Sequence, residues 1–223
     1  PVDGKCLRIS TGSLYPRSLS ARHATGLARA PHKDTKIITI YRRSAHESET
    51  LLFPNFAFEK IRNYTMTIDL ILVGKTTGQW LENGIEEYVG RLKHYVRFGL
   101  VVIPELKNSR HLREEQIKTT EGELILARIA AGDHVILLDE RGTLPDGSVE
   151  FADRLQGLMN RGVRRLVFVV GGAYGFSEAV YARADQRLSL SRLTFSHQMV
   201  RLIFIEQLYR AFTILGGEPY HHR

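Results

Sequence analysis

From residue 66 onward the sequence alternates short, nearly uninterrupted apolar runs with longer amphipathic stretches, and this leaves few folds open. Residues 68–73 (IDLILV), 100–103 (LVVI, stopped by Pro104), 134–138 (HVILL) and 165–170 (RLVFVV) each read as a buried strand. Between them, residues 77–95 carry Trp80, Leu81, Ile85, Tyr88, Val89 and Leu92 at helical spacing. Residues 112–131 read as an amphipathic helix with acids near its start and Arg128 near its end, and residues 149–161 as another that Gly162 closes. A short helix is expected from Ser177 as N-cap, and a last one over residues 196–215. Apolar strands alternating with helices argue for an α/β protein with a mostly parallel sheet flanked by helices. The apolar runs fall far short of the roughly 18–20 residues a membrane helix needs, so no membrane association is expected.

Residues 1–65 lack this periodicity. They are rich in Ser, Arg, Ala, His and Thr, and the segment is expected to be a largely disordered extension ahead of a single domain over residues 66–223. Residues 1–33 hold six Lys/Arg and one acid, the composition of an organelle transit peptide. Met66 stands directly before the first strand, which fits a mis-set gene start, and that is the preferred reading. The net charge of +7 is concentrated in the same segment, with 11 Lys/Arg against 5 Asp/Glu in residues 1–65 and 20 against 19 in the rest. Bulk charge is therefore poor evidence for nucleic-acid binding by the domain. Cys6 is the only cysteine, which excludes a disulfide framework and a Cys-based metal site and suits a reducing, cytoplasmic compartment.

Chemistry-bearing residues cluster in the last third. The run GGAYG over residues 171–175 follows a buried strand, where glycine lets backbone approach a ligand. Val170 breaks any dinucleotide fingerprint, and no Walker Lys-Ser/Thr follows. Residues 191–196 (SRLTFS) read as a helix entry with Ser196 as N-cap, and Leu138 as a core leucine at a strand end. Ligands of open parallel sheets lie beyond such strand ends. His197 and Arg201 are spaced i, i+4 on one face of the last helix, as are Glu206 and Arg210, a helix-surface or dimer-interface pair. That helix is apolar nearly all round, so a second copy of the chain is expected to cover part of it, giving a homodimer. The tail ends on Tyr220, His221, His222 and Arg223. Two adjacent His without a third ligand nearby do not make a metal site, and no metal is expected. Tyr220 suits stacking on a splayed base, with His221 and Arg223 toward a base edge or phosphate.

The segments VFVVGGAYGF (167–176) and LSLSRLTFSHQMVRLIFIEQLYRAFTILGGEPYHHR (188–223) resemble the RlmH family of SPOUT methyltransferases, and the resemblance runs from about Met66 to the end. It implies a C-terminal trefoil knot and transfer of a methyl group from S-adenosylmethionine to N3 of a pseudouridine of large-subunit ribosomal RNA, on assembled ribosomes. It also implies that Leu138, Gly172 and the loop of Ser191, Arg192, Leu193, Thr194, Phe195 and Ser196 hold the cofactor, with Leu193 and Phe195 walling the pocket. The Tyr220–His221 ending would lie at the active site. Such a transfer needs in-line alignment and loss of the imide proton; a neutral His could accept it, and Arg201 could stabilise charge on a flanking carbonyl. The residues themselves do not say which His. Two rivals remain at this stage: a non-catalytic RNA- or ribosome-binding protein on the same scaffold, and a SPOUT methyltransferase acting on another rRNA or tRNA base.

Overall fold

A computed structural model describes residues 65–106 and 111–221. The expectations for residues 1–65 therefore lie, but for Thr65, outside the described residues. In chain order the elements are β1 (Thr67–Val73), α1 (Gln79–Leu92), β2 (Arg97–Ile103), α2 (Glu114–Leu126), β3 (His134–Thr143), α3 (Ser148–Asn160), β4 (Arg165–Val170), α4 (Glu178–Arg183), β5 (Gln186–Leu188) and α5 (Met199–Leu215). The five strands form one sheet in the order β2-β1-β4-β3-β5, and every named pairing is parallel. No helix among the described residues is long and apolar enough to cross a membrane.

Strand alternation divides the core between the two sheet faces. Ile68, Leu70, Leu72, Ile136, Leu166 and Phe168 face α1, α3 and α5, where Phe168 meets Phe204 of α5 with ring centroids 4.6 Å apart. Ile71, Val73, Val135, Leu137, Val167 and Val169 face α2 and α4 through Ile125 and Val180. The central strands are apolar at nearly every position because both their faces are covered.

Boundaries shift from the expected ones for local reasons. The first helix is shorter than residues 77–95, and Trp80, placed by spacing with the buried residues, is 64% exposed. Strand β2 starts at Arg97 rather than Leu100, in register with β1 from Thr67 onward. Helix α2 ends at Leu126, so Arg128 lies beyond its last turn. Gly162 does close α3, with φ of 75°. Helix α5 starts at Met199 and its N-cap is Gln198, not Ser196. Ser196 still supports the entry: its Oγ accepts from the Met199 N–H at 3.2 Å and its carbonyl from the Val200 N–H at 3.0 Å.

His134, at the start of β3, has a buried Nε2 without a hydrogen-bond partner among the described residues, while its Nδ1 lies 3.9 Å from Asp185. Burial lowers its pKa, with Asp185 opposing. The unfolded chain therefore takes up this proton first on acidification. The stability the neutral ring contributes is present above the ordinary histidine value of about 6.5 and is lost as pH falls through the lower folded value. His134→Gln should shrink the drop in Tm between about pH 7.5 and about pH 5.5; an unchanged drop in thermal melts would contradict this.

Candidate active site

The carboxyl ends of β3 and β4 open into a cleft of about 530 Å³, a size that suits a small-molecule ligand. Beyond β4, residues 171–175 form a tight turn in which the Gly175 N–H donates to the Gly172 carbonyl at 3.2 Å. A side chain at Gly172 would meet Glu121 of α2: its Cβ would lie 2.5 Å from Oε2 and 3.1 Å from the carboxyl carbon. That Oε2 is buried and has no hydrogen-bond partner among the described residues, and burial, then repulsion from Glu105, pushes the carboxyl above its ordinary value.

Strand β3 pairs with β5 up to Leu138, bulges, and rejoins Leu188 at Thr143. The return brings Gly142 so near the neighbouring chain that an added Cβ would sit 2.6 Å from the Arg187 carbonyl carbon and the Leu188 nitrogen, a contact with backbone that only glycine allows. The bulge turns Asp139, Glu140 and Arg141 to the cleft. Tyr181 donates to Asp139 Oδ2 at 2.5 Å, Arg141 Nη2 donates to the Tyr181 hydroxyl at 2.7 Å, and the Arg141 backbone N–H donates to Asp139 Oδ1 at 2.8 Å. Burial alone would raise the Asp139 carboxyl; the Tyr181 hydroxyl and Arg141 outweigh it and hold the group below the usual carboxylate range. Burial, then Asp139, keeps the Tyr181 phenol above its ordinary value. These residues were missed in the sequence. Their signal is a run of charged residues, Asp-Glu-Arg, straight after a buried strand.

The loop into α5 closes the cleft. Ser189 Oγ donates to the Ser191 carbonyl at 3.0 Å and Ser191 Oγ accepts from the Leu193 N–H at 2.9 Å. Thr194 and Phe195 have no hydrogen bond on their N–H groups among the described residues, so both donors remain for a ligand. Of the expected cofactor residues, Leu138, Gly172, Ser191, Leu193, Thr194, Phe195 and Ser196 line this cleft, and His197 joins them. Arg192 does not; it lines a smaller neighbouring hollow with Glu140 and Asp146.

Arg201 is a correction. Expected to face a substrate carbonyl, it is wholly buried behind the cleft. Its Nε donates to the His197 carbonyl at 3.0 Å, Nη1 to Gly74 O at 3.1 Å and Thr76 Oγ1 at 3.0 Å, and Nη2 to Val73 O at 2.7 Å. A buried guanidinium needs acceptors, and the carbonyls at the end of β1 supply them. Gln198 makes a parallel tie, accepting from the Thr77 N–H at 3.0 Å and donating to Lys75 O at 3.2 Å.

Tyr220 and His221 likewise do not line the cleft of their own chain. The tail folds back on α1 and α5. Tyr95 donates to Glu218 at 2.8 and 2.7 Å, the Tyr220 hydroxyl donates to Glu206 at 3.1 Å and lies 3.3 Å from that of Tyr88, and Arg210 sits 4.7 Å from the Tyr220 ring centroid. The Glu206–Arg210 pair, which closes at 2.5 Å, is thus part of the tail's anchorage. Burial first, then Tyr88 and Glu206, raises the pKa of the Tyr220 phenol. Among the described residues no group of His, Cys, Asp or Glu is placed to hold a metal ion.

A glycine turn and a Ser/Thr loop thus meet beyond the ends of two parallel strands. The family model for predicted SPOUT methyltransferases matches residues 66–221. The chain belongs to the SPOUT methyltransferase family. Three curated relatives, each named ribosomal RNA large subunit methyltransferase H, match it over almost their whole length. The protein of Christiangramia forsetii is 56% identical over 158 residues, 71% of this chain and 100% of the relative. That of Flavobacterium johnsoniae is 55% identical over the same shares, and that of Parabacteroides distasonis 54% over 70% of this chain and 99% of its own. The SPOUT match starts at Met66, where the strand–helix alternation begins.

Proposed function

We propose that this SPOUT methyltransferase transfers a methyl group from S-adenosylmethionine to N3 of a pseudouridine in large-subunit ribosomal RNA, as a cytoplasmic homodimer acting on assembled ribosomes, with its C-terminal segment knotted as in its family. The observation that carries the reading is one cleft shared by Leu138, Gly172 and, apart from Arg192, the Ser191–Ser196 loop. The names of relatives more than half identical to the chain supply the RNA.

The cleft fits the cofactor. Leu138, Val170, Leu190 and Phe195 offer apolar surface for an adenine, the N–H groups of Thr194 and Phe195 offer donors, and Gly172 lines the cleft with bare backbone. The cofactor, bound there, supplies an electrophilic methyl group on a sulfonium. The protein's share is alignment and handling of one proton. His197 stands at the cleft, where a neutral imidazole can accept the imide proton as the base is brought in line. Arg201 acts through it, since its Nε holds the His197 carbonyl while its other donors grip the end of β1. Tyr220, kept protonated, serves as a stacking and hydrogen-bonding group and not as a base. A dimer would set the tail of one protomer against the cleft of the other, which reconciles a substrate-handling tail with its distance from its own cleft.

Calorimetric titration with S-adenosylmethionine, followed by assay of ribosomes from a strain lacking the modification, tests the proposal. The expected result is saturable binding, a dimer in sedimentation, and 3-methylpseudouridine in the digested large-subunit RNA. Binding without transfer to any ribosomal base would favour the non-catalytic scaffold; transfer to another base would change the substrate and keep the chemistry.

A further inference from the structure

Among the described residues that line the cleft, Arg141 is the only Lys or Arg, whereas Glu114, Asp139 and Glu140 all contribute carboxylates to it. Its side chain is 68% exposed, yet its direction is set. The backbone bulge after Leu138 delivers it, Tyr181 accepts from Nη2, the Tyr181 ring lies 5.6 Å from the guanidinium carbon, and the buried Asp139 ties Tyr181 and the Arg141 backbone together. Asp139 Oδ1 also lies 3.5 Å from Nε, and Nη1 has no hydrogen-bond partner among the described residues. A guanidinium held this way loses little freedom when it meets a planar anion.

The cofactor's amino-acid end presents one α-carboxylate and one α-ammonium beside the sulfonium. One fixed cation among three carboxylates complements that set: the arginine takes the carboxylate and the acids favour the two positive groups. A phosphodiester would meet the same three carboxylates as repulsion, which argues against RNA as the partner. We infer that Arg141, oriented by Tyr181 and Asp139, binds the α-carboxylate of the cofactor and so selects a ligand with an intact amino-acid end. The inference rests on the cofactor reading of the cleft.

The test crosses a ligand truncation with a side-chain truncation, using the full chain. S-adenosylhomocysteine carries the carboxylate, and 5′-methylthioadenosine lacks the amino-acid end. Calorimetry should show Arg141→Ala losing roughly 10- to 100-fold in affinity for S-adenosylhomocysteine, the scale of a charge-assisted pair, with methylthioadenosine binding unchanged within about twofold. Arg141→Lys should recover part of the loss. Equal effects on both ligands, or none on either, would overturn the inference. So would intact S-adenosylhomocysteine affinity with a raised KM for ribosomes, which would assign Arg141 to RNA. If the unaltered protein binds neither ligand, the cofactor reading itself falls and takes this inference with it, an outcome distinct from the others because it appears before any substitution.

Discussion

Deleting residues 220–223 should leave affinity for S-adenosylmethionine within about tenfold, roughly 1.4 kcal/mol, and cut single-turnover methylation of ribosomes by about 100-fold or more. The two effects separate because the tail and the cleft occupy different places in one protomer. Tyr220 rests on Glu206, Tyr88, Tyr209 and Arg210, and none of the four lines the cleft. A loss of this size is what removing a group that orients or stabilises a transition state costs. Packing must be controlled for, since the Tyr209 and Tyr220 rings lie 4.9 Å apart. Tyr220→Phe keeps the ring and loses the hydroxyl's contact with Glu206, so its turnover should fall less than that of the deletion. Near-normal turnover by a deletion that still melts cooperatively would remove the tail from substrate handling. His197 would then be the remaining proton acceptor at the cleft.

What could be read from the sequence follows how local the cause is. Strand β4 matches its expected bounds because an apolar run between Arg165 and Gly171 is a self-contained signal. Strand β3 was expected to stop at Leu138, and its second half, a polar Asp-Glu-Arg-Gly-Thr, is held as a strand only by β5, some 45 residues on. The Asp-Glu-Arg run itself stands in the sequence after a buried strand, but the Asp139–Tyr181–Arg141 arrangement it builds depends on contacts about as distant. Arg201 shows the limit of helical spacing. It was expected to share a helix face with His197, but α5 starts at Met199 and leaves His197 ahead of the helix, and the direction of Arg201 is set by acceptors at Val73, Gly74 and Thr76, 125 or more positions away. A Gly216-Gly217 tail reads as a frayed end until Tyr88 of α1 and Tyr95 of the turn after it are found beneath it. The Ser191–Ser196 loop was singled out by resemblance, since nothing in its own residues distinguishes a ligand loop from a plain helix entry.

Gly172→Val should lower affinity for S-adenosylmethionine by about 100-fold or more while leaving sedimentation unchanged. A branched side chain where backbone lines the cleft is half of the reason. The other half lies behind the turn, where the new Cβ would be placed 2.5 Å from Glu121 Oε2. A carboxylate end can swing, but this oxygen is buried, so Gly172→Ala should already cost roughly tenfold as turn and carboxyl move apart. The two causes can be separated. In a Glu121→Ala background the clash behind the turn is gone, and Gly172→Ala should bind within about threefold of that background. Gly172→Val should remain defective there, because Gly172 lines the cleft and a branched side chain adds bulk to a turn against which a bound ligand would rest. Full recovery of the valine variant on removing Glu121 would mean that the glycine serves only the packing of α2 against the turn, and that no ligand passes close to it. Binding by Gly172→Val within tenfold of the unaltered protein would displace the cofactor from the turn altogether.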